Sequence, residues 1–207
     1  DLPGGDLIIH AGDISSMGFD YEIEDFCKWY NDLDNYTYKI FIGGNHDWGF
    51  QIRSELTREI VKKYPNIIYL EDEEFILENG TKVYGSPWQP TFYNWAFNLP
   101  RNSQELEDGW KKIPNNTDIL ITHGPPYGIL DRVPYSGEQV GCEKLLARIH
   151  KVKPKLHVFG HIHPGYGYQF NKGIHCINAS VLNDRYQYSN KPINLEWDKK
   201  NNQVEFK

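Results

Sequence analysis

The sequence predicts an α/β fold in which two packed β-sheets are flanked by helices. Three observations predict it. Four short apolar runs each end in glycine followed or preceded by polar donor side chains. The first two runs are separated by one stretch of helical periodicity, the pattern of a βαβ unit with a parallel pair. Hairpin signals lie in the middle of the chain and near its end.

In order, Leu2-Pro3-Gly4-Gly5-Asp6 is a turn leading into the first strand, Leu7-Ile8-Ile9-His10-Ala11, which runs into Gly12-Asp13. A loop over residues 14–20 precedes a helix expected over 21–33. There Ile23, Phe26, Cys27, Tyr30 and Leu33 share one face. The second strand, Lys39-Ile40-Phe41-Ile42, runs into Gly43-Gly44-Asn45-His46-Asp47. A second helix follows, with Ile52, Leu56, Ile60 and Tyr64 on one face, and Pro65 stops it. Residues 67–70 form a short strand. Residues 74–77 and 81–84 flank Asn79-Gly80, a strong hairpin signal. A short helix is expected over 103–110, before Pro114. The third apolar run, residues 118–122, leads into His123-Gly124. A helix carrying Cys142, Leu145, Leu146, Ile149 and Val152 on one face then precedes the fourth run, Leu156-His157-Val158-Phe159, which leads into Gly160-His161-Ile162-His163. Strands over 166–170 and 174–179, then 193–197 and 204–206, close the chain.

Composition bounds the possibilities. At 207 residues one domain with a sizeable core is expected over the whole chain. A formal net charge of −6 argues against a surface for extended nucleic acid, which is usually basic, and leaves a short nucleotide open. Cys27, Cys142 and Cys176 are widely spaced and odd in number. They form no disulfide framework, point to a reducing, cytoplasmic compartment, and read as small buried apolar residues. No apolar run approaches a membrane span, so no membrane partner is expected.

The four runs deliver an uncommon set of side chains. Asp13, Asn45, His123, His161 and His163 are nitrogen and oxygen donors, which suit Mn, Fe, Zn or Mg rather than a thiolate-rich structural zinc site. Placed at the carboxyl ends of strands, they converge on one sheet edge, where open α/β proteins place their sites. A carboxylate can bridge two ions. Neutral amide and imidazole ligands leave the cation charge high enough to acidify a bound water and clamp a phosphoryl group. His161 and His163 would face opposite sides of a straight strand, but in a turn they can diverge to two metals. His10, His150, His157 and His175 fall outside the pattern and read as structural. The aromatic-rich stretch with Trp88, Phe92, Tyr93, Trp95 and Phe97 is either a core plug under a long loop or an aromatic wall beside the site, suited to stacking a base. On the second reading Trp88 joins Asn45 and His46 as a candidate substrate contact.

Gly12-Asp13, Gly43-Gly44-Asn45-His46-Asp47, Thr122-His123-Gly124 and Gly160-His161-Ile162-His163 resemble, in order and spacing, the calcineurin-like metallophosphoesterase superfamily. Gly85-Ser86-Pro87-Trp88-Gln89-Pro90, His123-Gly124-Pro125-Pro126 and the stretch from Lys153 to His163 further resemble its small metallophosphoesterase-domain-containing subgroup. The likeness runs over residues 5–179.

The resemblance implies an αββα sandwich and a site for two divalent ions. Asp13 would bridge them, Asn45, His123 and His161 would complete the second, and His163 would bind the first. It further implies that His46 contacts the phosphate or protonates the leaving oxygen, that Asp47 orients His46, and that a metal-bridging hydroxide attacks phosphorus in line. The implied substrate is a small phosphodiester, cyclic nucleotides being the class the family suggests. A phosphomonoesterase, perhaps acting on phosphoprotein, would call for extra cations near the metals, for which Arg101, Arg132 and Arg185 are candidates. A non-catalytic nucleotide-binding or scaffold protein is the rival from another class. One feature departs from the family. Its Asp-x-His motif should precede Gly12-Asp13, and no such pattern stands there. The chain is therefore expected to lack its native first strand. The complete enzyme would hold two ions, and this chain would hold one in an intact second site beside a weak or partial first site.

Overall fold

The computed structural model describes residues 2–134 and 136–207. β1 (Gly5–His10), α1 (Asp20–Asn31) and β2 (Tyr36–Phe41) form the expected unit, with β1 and β2 parallel and Ile9 opposite Ile40. Then follow α2 (Trp48–Ile52), α3 (Ser54–Lys62) and β3 (Ile68–Tyr69), which adds to β2 and completes a parallel sheet in the order β1-β2-β3. The hairpin β4 (Glu73–Ile76) and β5 (Lys82–Ser86) opens the second sheet. The short pair β6 (Gln89–Pro90) and β7 (Asn98–Leu99) brackets the aromatic loop, and α4 (Gln104–Lys111) follows. β8 (Ile119–Thr122), α5 (Glu143–Val152), β9 (Leu156–Phe159), β10 (Gly167–Asn171) and β11 (Ile174–Asn178) complete that sheet in the order β10-β11-β9-β8-β5-β4. β12 (Leu195–Asp198) and β13 (Gln203–Phe206) form a separate hairpin.

Side-chain alternation along the strands explains the layering. Ile40 and Ile42 point inward and pack with Ile119, Ile121 and Val158 in a core between the two sheets. Phe41, between them, points the other way and packs with Ile23, Phe26 and Tyr30 of α1 and with Ile60 of α3. In the second sheet Leu120 and Phe159 pack with Trp110 of α4 and Ile149 of α5. The order of layers is helices, sheet, sheet, helices, as expected.

Two expectations need correction. The single helix expected after residue 47 is two helices, broken at Arg53, whose backbone leaves the helical region at φ −136° and ψ 40°. The break resets the phase, so Ile52 and Leu56 are exposed, at 65% and 52%, and α3 buries Thr57, Ile60 and Val61. The four ligand-bearing turns also do not share one sheet edge. Two follow β1 and β2 in the first sheet, and two follow β8 and β9 in the second, so they meet across the gap between the sheets.

β1 is the outer strand of its sheet, and a cleft of about 1670 Å³ runs beside it. The cleft passes from Leu7, Ile9 and Trp29 to Asp13, His123 and His161. Among the described residues no helix is long and apolar enough to cross a membrane.

Candidate metal centre and its surroundings

Each donor sits one to four residues past a strand end, in a turn the local sequence can make. Gly12 takes φ +95°, and a Cβ there would meet His123 Nδ1 at 2.6 Å. Asp13 and His161 adopt φ +57° and +64°. Left-handed backbone disfavours a Cβ-bearing residue by about 1 kcal/mol or more, and such strain persists where surrounding contacts over-determine it. For Asp13 those contacts come from Asp47. The buried carboxylate of Asp47 accepts N–H bonds from Ile14 at 3.2 Å, Ser15 at 3.0 Å and Gly44 at 2.7 Å, and the Ser15 hydroxyl donates at 2.6 Å. Asp47 thus ties the turn after β1 to the turn after β2.

The donor geometry calls for a cation. His123 Nδ1 lies 2.8 Å from the Ala11 carbonyl. A carbonyl only accepts, so the proton is on Nδ1 and the second nitrogen is set for ligation. His123 Nε2 lies 2.9 Å from Asn45 Oδ1 and 3.3 Å from Asp13 Oδ2. Asp13 Oδ1 accepts the backbone N–H of His46 at 3.0 Å, which leaves Oδ2 facing the imidazole. The donor atoms of Asp13, His123 and His161 all lie within 4.8 Å of one another, and the rings of His123 and His161 are 5.0 Å apart. One divalent ion would satisfy these nitrogen and oxygen donors together, and the set fits a borderline or hard metal.

Charge balance points the same way. Burial opposes the charged form of His123, but the adjacent Asp13 carboxylate raises its pKa on balance. Burial likewise works against ionised Asp13, yet His123 and the hydrogen bonds around it hold its carboxyl well below the usual range. Burial, then the Asp13 charge, push Asp47 up to about 6 against its hydrogen bonds. Burial, then His123, drive His161 down to about 3, so His161 is the neutral ligand form. A bound cation would offset the repulsion between the two carboxylates.

The remaining expected site residues are placed unevenly. His46 flanks the cluster, with Nδ1 2.8 Å from the Ser16 carbonyl and its ring 4.3 Å from that of Trp95. Ser16, not Asp47, is therefore the hydrogen-bond partner that orients His46; the Asp47 oxygens are taken up by the two turns. The Ser16 loop is itself held by Glu22, which accepts the N–H groups of Ser16, Met17 and Phe19. His163 stands outside the four-residue cluster, with Nδ1 2.8 Å from the Asn183 carbonyl and its ring 5.3 Å from Tyr186.

Trp88 is not placed at the ligands. Its indole N–H donates to Asp72 at 3.2 Å, and its ring meets Phe97 edge-on at 5.4 Å, joining the two helix-side cores. The residues of the aromatic stretch divide between the core and the neighbourhood of the donors. Phe97 and Trp88 plug the core, whereas Trp95 faces His46 and Phe92 faces His161 at 5.4 Å. Trp88→Ala is expected to lower stability by about 3 kcal/mol, roughly 8 °C in Tm, while Trp95→Leu shifts it by less than about 1 kcal/mol. Thermal unfolding followed by circular dichroism measures both.

Three of the four histidines outside the pattern have structural partners. His157 Nε2 donates to the Thr122 hydroxyl, His150 meets Asn171, and His175 donates to the Asn202 carbonyl. His10 packs edge-on against Phe26 beside the cluster, and burial lowers its pKa to about 4. Cys27, Cys142 and Cys176 are free and buried. Sequence reasoning missed Ser16, Asn183 and Tyr186, which touch His46 or His163 from loops carrying no motif.

A family model described as calcineurin-like phosphoesterase matches residues 1–165. Metallophosphoesterase domain-containing protein 1 of Homo sapiens is 43% identical over 216 aligned residues, which cover 94% of this chain and 65% of that protein. A 3',5'-cyclic-nucleotide phosphodiesterase of Nostoc sp. is 28% identical over 185 residues, covering 86% of this chain and 62% of that protein. The chain thus spans less than two thirds of the length of either relative. The crystal structure of TT1561 of Thermus thermophilus superposes with a TM-score of 0.63 at 13% identity, covering 98% of this chain and 85% of that one, a likeness of fold.

Proposed function

Because the chain belongs to the calcineurin-like phosphoesterase family, we propose that it is a metal-dependent hydrolase of small phosphodiesters. The observation that carries this reading is the convergence of Asp13, Asn45 and His123 from three turns, with His161 beside them and His46 flanking the group. Asp13, Asn45, His123 and His161 would hold one divalent ion, and His163 with Asp13 would offer a weaker second position. When bound, such ions supply positive charge to phosphoryl oxygens and lower the pKa of water.

The chain's own residues do the rest. Asp47 keeps Asp13 and Gly44 in register, and the Ala11 carbonyl holds His123 with Nε2 towards the other donors. With the Nδ1 proton of His46 on the Ser16 carbonyl, Nε2 is the nitrogen free to meet substrate. In the imidazolium form it donates a proton to the leaving oxygen.

A diester is favoured over a monoester by charge. A monoester brings a second negative charge and calls for an additional cation. Arg101 is engaged elsewhere, donating to the carbonyls of Val140 and Gly141 and pairing with Glu143. Among the described residues no lysine or arginine forms an ion pair with Asp13 or Asp47. The Nostoc relative, named for cyclic-nucleotide hydrolysis, supports cyclic nucleotides as the substrate class.

Two measurements test this. Dialysis against excess Mn²⁺ followed by elemental analysis is expected to give about one ion per chain, and chelation to lower Tm and stop hydrolysis until Mn²⁺ is restored. Rates on bis(p-nitrophenyl) phosphate are expected to exceed those on p-nitrophenyl phosphate. Hydrolysis that survives complete chelation would sink the metal-dependent reading, and a preference for the monoester would replace the diester reading.

A further inference from the structure

We propose that Tyr186, with Trp95, forms a stacking subsite that selects diesters carrying a planar ring on the ester group next to His46; this rests on the phosphodiesterase reading. The Tyr186 ring lies 6.1 Å from that of His46, at 77°, and 5.3 Å from that of His163, at 83°. It therefore stands edge-on to two imidazoles delivered by different sheets. Trp95 approaches the same His46 ring at 4.3 Å from the aromatic loop.

The loop that carries Tyr186 is built to hold it there. The Asn183 carbonyl accepts from His163 Nδ1, and the Asn183 side chain accepts the N–H groups of Arg185 at 2.9 Å and Gln187 at 3.0 Å. Asn183 N–H closes the turn on the Gln187 carbonyl at 2.9 Å. Tyr186 sits in this turn at φ +58°, a conformation that glycine or asparagine adopts at lower cost. Its side chain is 64% exposed, so core burial does not explain a tyrosine at a strained position. A ligand face does.

Aromatic rings gain from stacking on Tyr and Trp, whereas an aliphatic ester group finds no matching planar contact. An ester group leaving at His46 meets both rings. A nucleobase and a phenyl group share the required chemistry, and the choice of substrates separates them.

The test compares kcat/KM for 3',5'-cyclic adenosine monophosphate, bis(p-nitrophenyl) phosphate and glycerophosphocholine, the last an aliphatic diester followed by phosphorus NMR. Tyr186→Leu and Trp95→Leu are each expected to lower the ratio of ring-bearing to aliphatic kcat/KM about tenfold, chiefly through KM. Tyr186→Phe keeps the ratio, and Tyr21→Leu, an exposed tyrosine outside the site, leaves it unchanged. A loss confined to the cyclic nucleotide assigns the subsite to nucleobases; a loss on both ring-bearing substrates assigns it to planar rings in general. An unchanged ratio in Tyr186→Leu overturns the subsite while leaving the phosphodiesterase reading standing. If the unaltered protein hydrolyses none of the three diesters, that reading falls, and calorimetric binding still decides the subsite. Tighter binding of adenosine monophosphate than of glycerol phosphate, lost in Tyr186→Leu, supports it, and equal affinities overturn it.

Discussion

Gly44→Ala is expected to remove metal binding and hydrolysis while leaving the fold intact. A Cβ on Gly44 would lie 2.6 Å from His123 Cε1, and closer still to the backbone nitrogen and Oδ1 of Asp13. The Asp13 nitrogen is backbone, and the Asp13 and His123 side chains are held by the His46 N–H and the Ala11 carbonyl. Two ligands would have to separate, and the turn that Gly44 N–H anchors to Asp47 would shift with them. A displacement of about 1 Å at a reacting centre costs on the order of 100-fold in rate, so kcat/KM should fall at least that far. His123→Ala and Asn45→Ala, which delete a ligand outright, should match it. Calorimetric titration with Mn²⁺ and hydrolysis of bis(p-nitrophenyl) phosphate measure the loss, and near-ultraviolet circular dichroism reports the fold. Gly109→Ala in α4, where a Cβ meets nothing within 4 Å, provides the contrast and should stabilise the protein by roughly 0.5–1 kcal/mol. Wild-type metal affinity in Gly44→Ala would remove the four-donor cluster from consideration as the metal site.

Asp47→Ala should have the largest effect on stability. It leaves the N–H groups of Ile14, Ser15 and Gly44 and the Ser15 hydroxyl without their buried acceptor. Removing one partner of a buried charged network costs roughly 3–5 kcal/mol, about 10 °C in Tm for a chain of this length. Asp47→Asn should fall between, because an amide presents one oxygen and one N–H group to donors that all need acceptors. A role confined to orienting His46 makes a different forecast. Hydrolysis would fall with Tm unchanged, and that outcome would overturn the assignment of Asp47 as the tie between the two ligand turns.

Much of the candidate site was legible because its candidate ligands obey local rules. An apolar run, a glycine that permits a sharp turn and a donor side chain are all near neighbours in sequence, so Asp13, Asn45, His123 and His161 could be picked out by spacing. The helix after residue 47 was misread for an equally local reason. Ile52, Leu56 and Ile60 have helical spacing, but the backbone at Arg53 breaks the helix and no glycine or proline marks the place. The sequence leaves Trp88 between core plug and site wall because an aromatic-rich stretch does not say which rings turn inward; the Asp72 carboxylate and Phe97, distant or irregularly spaced partners, decide it.

The sequence by itself determined the strands, their two-sided burial and the donors at their ends, because alternation and turn chemistry act over a few residues. Only the tertiary structure decided that donors from two different sheets meet across one gap. It also decided that the Ala11 carbonyl turns Nε2 of His123 towards the other donors, that Ser16 rather than Asp47 is the hydrogen-bond partner of His46, and that Tyr186 stands edge-on to two imidazoles. Those contacts join residues from 23 to 140 positions apart. Their geometry comes from the packing of the two sheets and the path of the loops, and no local pattern encodes either.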